Sequence, residues 1–278
     1  MNQTFENIIL AFLLTIGRYF FIAGIFFLVF YLLFPKSLLR NKIQGKLAGT
    51  ADFLREILHS SVSSLVLAVM ALIALSENIR GYTFIYTDLH AYPLWWIPVS
   101  LLLTLIVHDT YFYWMHRILH HKRLFKATHL VHHQSTNPSP WTSYSFHFLE
   151  AIAEGAVMIV LVFAMPLHPL TLMLFALSSF VINVYGHLGY EIMPKGFRNT
   201  FLFEIINTST FHNLHHQKFK GNYGLYLRVW DRLMKTEHPD YVKDYDRMQE
   251  KRFGNLPKNT LVNQDTLVNE HKANILIK

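Results

Sequence analysis

Cysteine is absent from all 278 residues. Disulfides, thiolate-held iron–sulfur clusters and thiolate zinc sites are therefore excluded, and any metal must bind through nitrogen and oxygen. Charge is sparse as well: Asp, Glu, Lys and Arg make up 15% of the chain, against 52% hydrophobic residues. No recognised nucleic-acid motif accompanies the net charge of +7, so nucleic acid is not an expected partner. A His-Glu-x-x-His sequence is also missing. No basic leader precedes the first apolar block, which is longer than a signal core, so a retained membrane helix is expected there.

The apolar residues fall in blocks long enough to cross a bilayer, at 8–34, 53–75 and 93–107, with a longer one at 148–184 broken near Pro166 and Pro169. The last reads as a tight helical hairpin or two short spans. The expected fold is all-α: a polytopic membrane helical bundle of about four spans or embedded hairpins, with a cytoplasmic helical cap. Three regions follow from this: a transmembrane scaffold at 1–107, a catalytic domain at 108–236 that includes the membrane hairpin 148–186, and a polar C-terminal tail at 237–278, read as a surface appendage or partly disordered. Lys36, Arg40, Lys42 and Lys46 follow the first block, and Lys122, Arg123 and Lys126 follow the third, whereas the loop at 77–92 carries only Arg80. The positive-inside bias then places the N-terminus outside and the histidine regions and tail in the cytoplasm. A bacterial inner membrane and a eukaryotic internal membrane both satisfy this pattern. Arg18, inside the first block, has no evident partner in the sequence.

Histidines are what the chain has in excess. They cluster as His116 with His120, as His129, His132 and His133, and as His212, His215 and His216, the last two clusters sharing the spacing His-x-x-His-His. Residues three and four apart share a helix face, so each cluster points several imidazoles at one spot. His187, at the end of the returning apolar block, is a further candidate ligand. Nitrogen-rich sites suit Zn, Cu, Fe or Ni, and affinity alone does not choose among them. Eight or nine histidines exceed the four ligands of a structural zinc and suggest two ions. A pair of redox-active irons beside an apolar cavity could use dioxygen to remove hydrogen from an unactivated C–H bond of a lipid.

Other residues near the clusters are ambiguous. His108, His121 and His147 could join the site or serve hydrogen bonding and packing. His59, His90, His168, His238 and His271 have no partner at ligand spacing. Asp109 could orient an imidazole or sit at the membrane surface. Glu150 and Glu154 open a helix, where acidic residues complement the dipole. Asp231 is read as structural, bonding a ligand or an arginine. Two other functions compete: a His-rich membrane metal transporter or sensor, which would need ionisable residues within its spans, and a zinc lipid hydrolase, which would need a general base.

The segment from His108 to Arg117, together with His129-Leu130-Val131-His132-His133 and His212-Asn213-Leu214-His215-His216, resembles the three boxes of the sterol desaturase / fatty acid hydroxylase superfamily. Asn222-Tyr223-Gly224 and Trp230-Asp231, closing at Thr236, resemble its C-terminal signature. The resemblance implies an integral membrane, O2-dependent oxidoreductase with two Fe ions, zinc being able to take the same sites on purification. It implies hydroxylation or desaturation of a sterol or fatty-acyl lipid. Electrons would come from NAD(P)H through a separate redox protein, cytochrome b-type or ferredoxin-type, since the chain has no room for a fused haem domain. By position, His116, His120, His129, His132, His133, His212, His215 and His216 match the family ligands. Asn183 departs from a histidine pair that some members carry near His187.

Overall fold

A computed structural model describes residues 3–46 and 48–254. It is helical throughout, with no β-strand among the described residues. α1 (Gln3–Phe27) continues as a π-helical turn (Leu28–Leu33), and α2 (Thr50–Ala74) follows a basic loop. The single turn α3 (Glu77–Arg80) precedes α4 (Trp96–Leu119), and two more single turns, α5 (Phe125–Thr128) and α6 (Leu130–His133), come after it. The long apolar block folds as α7 (Phe148–Gly155), α8 (Val157–Ala164) and α9 (Pro169–Gly186). α10 (Ser209–Lys218), α11 (Val229–Leu233) and α12 (Tyr241–Phe253) complete the cap.

Among the described residues, three helices are long and apolar enough to cross a membrane: Gln3–Leu33, Thr50–Ala74 and Pro169–Gly186. α4 extends the expected third block by three turns and carries the first histidines, but its inward face holds Ser100, Thr104, His108 and Asp109, which dilutes its apolar character. The break in the long block falls where expected: Pro169 opens α9 at a position whose N–H needs no partner.

The packing is inverted relative to a water-soluble bundle. Leu54, Leu58, Val62 and Leu65 of α2 are exposed, while Glu56, Ser60, Ser63 and Ser64 are buried. These four recur at helical spacing and form a polar stripe against the irregular segment 134–147. Glu56 accepts from Ser135 Oγ at 2.7 Å and Ser139 Oγ at 2.6 Å; Ser60 Oγ donates to the Trp141 carbonyl at 3.0 Å and Ser63 Oγ to the Phe146 carbonyl at 3.3 Å. Irregular backbone at membrane depth is stable only when protein groups satisfy it. α7 meets α2 at Gly155, where a Cβ would lie 2.7 Å from Met70 Cβ, so the approach admits no larger residue. Arg18 does have a partner, contrary to the sequence reading: Nη2 donates to Tyr144 Oη at 3.0 Å, a residue 126 positions away.

Residues 238–254 include a packed helix despite their polar composition. α12 buries Tyr241, Tyr245 and Met248 on one face, the two tyrosines packed with Phe203, Phe211 and Leu214. Three apolar residues at i, i+4 and i+7 suffice for one helix stripe even when the mean is polar. Residues 255–278, with His271, lie outside the described residues.

Replacing Glu56 with Ala strips two buried hydroxyls of their acceptor. The expected cost is about 2–6 kcal/mol, from roughly 1–3 per stranded group, read as a lower melting temperature of the detergent-solubilised protein. An unchanged melting temperature would show that the stripe does not hold the 134–147 segment.

Candidate metal centre

All nine candidate histidines converge. His116, His120, His129, His133 and His215 form one group and His132, His187, His212 and His216 a second, with the ligand atoms of each group within 4.8 Å of one another. Eight are buried and His120 is partly exposed. The groups adjoin, with ring centroids 4.9 Å apart for His133 and His216 and 5.2 Å for His129 and His132. α4 delivers His116 on its last turn and His120 at its C-cap, α6 delivers His132 and His133, and α10 delivers His212, His215 and His216. His187 caps α9. His129 stands between α5 and α6, so the second cluster lies on two broken turns and not on one helix.

The hydrogen bonds fix which nitrogen faces inward. Nδ1–H donates to the Tyr223 carbonyl from His116 at 2.8 Å, to the Asn183 carbonyl from His187 at 2.9 Å, to the Gly221 carbonyl from His215 at 2.6 Å and to the Ser145 carbonyl from His132 at 3.3 Å. A carbonyl can only accept, so these neutral rings carry their proton on Nδ1 and leave Nε2 as a bare lone pair. His129 Nδ1 lies 2.6 Å from Glu150 Oε1, where a carboxylate takes the same role. Yet His187 Nε2 lies 3.2 Å from His132 Nε2, and His116 Nε2 lies 3.0 Å from His129 Nε2. His215 Nε2 is buried without any partner. Lone pairs facing lone pairs at this distance repel unless a cation stands between them. Two imidazoles on one ion, each about 2.0–2.1 Å from it, hold their nitrogens about 3 Å apart. The residues fit a pair of metal ions.

Burial and the neighbouring imidazoles hold His132, His133, His212 and His216 well below the ordinary imidazole range. Neutral rings are the state that binds metal.

Several neighbours differ from their sequence readings. Glu150, read as a helix-dipole residue, bonds a candidate ligand; its spacing from the second cluster gives no clue, because a stretch that is not α-helical intervenes. Asp109 touches no imidazole and instead accepts from the Tyr226 and Leu227 amides at 2.7 and 3.1 Å. Asp231 bonds neither ligand nor arginine; it accepts from the Tyr223 and Gly224 amides at 2.9 and 2.7 Å, fixing the loop whose carbonyl receives His116. Gly221 supplies the carbonyl for His215 from a φ of +77°, where a side chain would be strained. Asn183, where some members carry a histidine, offers its carbonyl to His187 and donates its amide to the Ser143 carbonyl. His108 bonds Tyr226 Oη at 2.7 Å, His147 caps α7 through the Leu149 amide, and His121 is exposed; none joins either group.

A cavity of about 160 Å³, partly open to the outside, lies among α1, α2, α4 and α7–α9. Phe112 and Phe146 in its wall touch the centre, with ring centroids 4.9 Å from His116 and 5.1 Å from His132. One aromatic wall thus meets each histidine group.

Residues behind ligands usually set metal affinity by about 10–100-fold. Glu150→Ala is expected to weaken metal retention by that range and Glu150→Gln by less, since the amide oxygen still accepts. Competition against a chelator measures both; equal retention in all three proteins would detach Glu150 from the centre.

The sequence model of the fatty acid hydroxylase family matches residues 101–236. A lathosterol oxidase of Rattus norvegicus is 29% identical over 277 residues, covering 93% of this chain and 86% of that protein. The lathosterol oxidase of Mus musculus is 30% identical over 241 residues, covering 84% and 75%. A Delta(7)-sterol 5(6)-desaturase of Schizosaccharomyces pombe is 30% identical over 164 residues, covering 59% and 47%. No solved structure matches. With its boxes, its helical bundle and these relatives, the chain belongs to the sterol desaturase / fatty acid hydroxylase superfamily and is a membrane oxidoreductase.

Proposed function

We propose that this protein is an O2-dependent di-iron enzyme that introduces a double bond into a sterol-type lipid. Two facing sets of Nε2 lone pairs, against one end of a cavity among the membrane helices, carry the proposal. His116, His120, His129, His133 and His215 would hold one ion and His132, His187, His212 and His216 the other. All-imidazole sites accept zinc as well as iron; the choice of iron rests on the relatives' printed activities, oxidase and desaturase, which need a redox metal. The chemistry supplied by such a pair is the use of dioxygen to take hydrogen from an unactivated C–H bond.

The chain's own groups do the rest. The Nδ1 bonds hold each ring in register, so the ligands need not reorganise as charge changes. Phe112 and Phe146 keep water from the lipid side. The cavity's apolar wall, including Leu67, Phe175 and Phe180, would seat a rigid hydrocarbon with its reacting carbons toward the histidines. Desaturation takes two hydrogens from adjacent carbons and consumes one dioxygen, two electrons and two protons, giving two waters. Hydroxylation consumes the same and differs only in returning one oxygen atom to carbon. Either way two electrons enter from outside, from a one-electron carrier of the cytochrome b or ferredoxin type and ultimately from NAD(P)H. The basic loops around the centre support a cytoplasmic position for this face. A transporter gains no support: Arg18 is tied to Tyr144, and the histidines gather at helix ends.

Anaerobic purification with metal analysis is expected to find about two irons per chain. His132→Ala, at equal membrane abundance, is expected to lower O2-dependent sterol product by more than the ~10–100-fold typical of residues behind ligands. Full activity in that variant, or product formed without oxygen, overturns the proposal.

A further inference from the structure

His120 is the least enclosed of the nine histidines, and what surrounds it is unusual. Phe125 packs on it at 5.2 Å between ring centroids, and Phe125 and Phe219 both pack on His133, at 5.5 and 4.9 Å. The two phenylalanines, 6.1 Å apart, join the loop after α4 to the end of α10. Phe219 is exposed and adopts φ +60°, a costly backbone for a bulky side chain. A strained, water-facing aromatic ring against a candidate ligand is not explained by core packing.

Five exposed cations ring this edge: Lys122, Arg123 and Lys126 on one loop, Lys218 and Lys220 on the other. None takes part in an ion pair among the described residues. No acidic residue occurs anywhere in 119–133 or 205–230. Positive-inside bias accounts for basic loops in general. It does not account for their gathering, unpaired among the described residues, around the edge where His120 is partly exposed.

We propose that this patch is the docking surface of an acidic one-electron carrier protein, seated so that its redox group faces His120 through Phe125 and Phe219. The proposal rests on the reading above that two electrons enter from outside for each dioxygen consumed; the carrier is oxidised by one electron per visit. Opposite charge across such a face steers encounter and sets orientation, and the effect is screened by salt.

The test uses the full chain in neutral-lipid nanodiscs, with a soluble acidic cytochrome b-type haem domain as probe. Replacing all five with Glu (Lys122, Arg123, Lys126, Lys218 and Lys220) is expected to weaken probe binding at least tenfold. Binding by the parent protein is expected to fall as salt is raised, and the variant's is not. Phe219→Gly is expected to leave binding intact, slow electron delivery from the bound probe at least threefold and raise thermal stability. A small chemical reductant should serve parent and variants alike. Unchanged probe binding in the five-fold variant overturns the surface, as does a variant that loses only its partition onto phosphatidylserine vesicles, which would assign the patch to lipid headgroups. Chemically reduced parent protein that makes no O2-dependent product would instead overturn the proposed function, while the binding result stands by itself.

Discussion

A neutral imidazole that gives its Nδ1 proton to a carbonyl keeps no proton for Nε2. Four rings of this centre are bound that way, and Glu150 binds His129 in the same sense. Their inner nitrogens therefore meet as lone pairs, about as close as two ligands of a single ion, and only positive charge makes that arrangement favourable. Several parts of residues 108–236 bring carbonyls to those Nδ1 atoms. Asp231 and Asp109 hold the 223–227 loop, Gly221 bends the chain under His215, and the end of α9 turns its own carbonyl onto His187.

The membrane scaffold answers a second constraint. The Ser145 carbonyl that receives His132 lies on a segment without α-helical hydrogen bonding, amid apolar helices. Such a segment persists only if its polar groups are met from the side. The stripe of Glu56, Ser60 and Ser63 on α2 does this, and Tyr19 adds a bond to the Trp141 carbonyl. Stability of the bundle and geometry of the centre are thus coupled: α2 touches no candidate ligand, yet it props the strand of chain that orients one.

Helix periodicity made the spans, the proline break and two of the three histidine clusters readable, because ligand spacing of three and four maps directly onto a helix face. It also showed His187, whose place at the end of an apolar run needs no tertiary knowledge. The carboxylate behind His129 was hidden, since Glu150 reaches it across a stretch that no single helical period describes. The sequence leaves the partners of Asp109 and Asp231 open, and the structural role read for Asp231 is what the loop shows: a carboxylate suits amide N–H groups as well as imidazole, and only the path of the loop decides. α12 was missed for a different reason. Its stripe of Tyr241, Tyr245 and Met248 is diluted by charged residues on the other three-quarters of the helix.

On the proposed function, substrate and electrons reach the same centre from media that do not mix. The apolar cavity abuts it through Phe112 and Phe146, from among the membrane helices, while Phe125, Phe219 and the partly exposed His120 open it to the basic surface. A lipid approaching from one side leaves the other free, so binding of substrate and carrier need not compete. The two histidine groups lie between these approaches, each with a hydrocarbon-facing aromatic neighbour, but only the five-histidine group includes the exposed edge. That asymmetry follows from chain order: His120 ends a helix and meets water, whereas the second group is drawn from α6, α9 and α10 where they cross inside the fold.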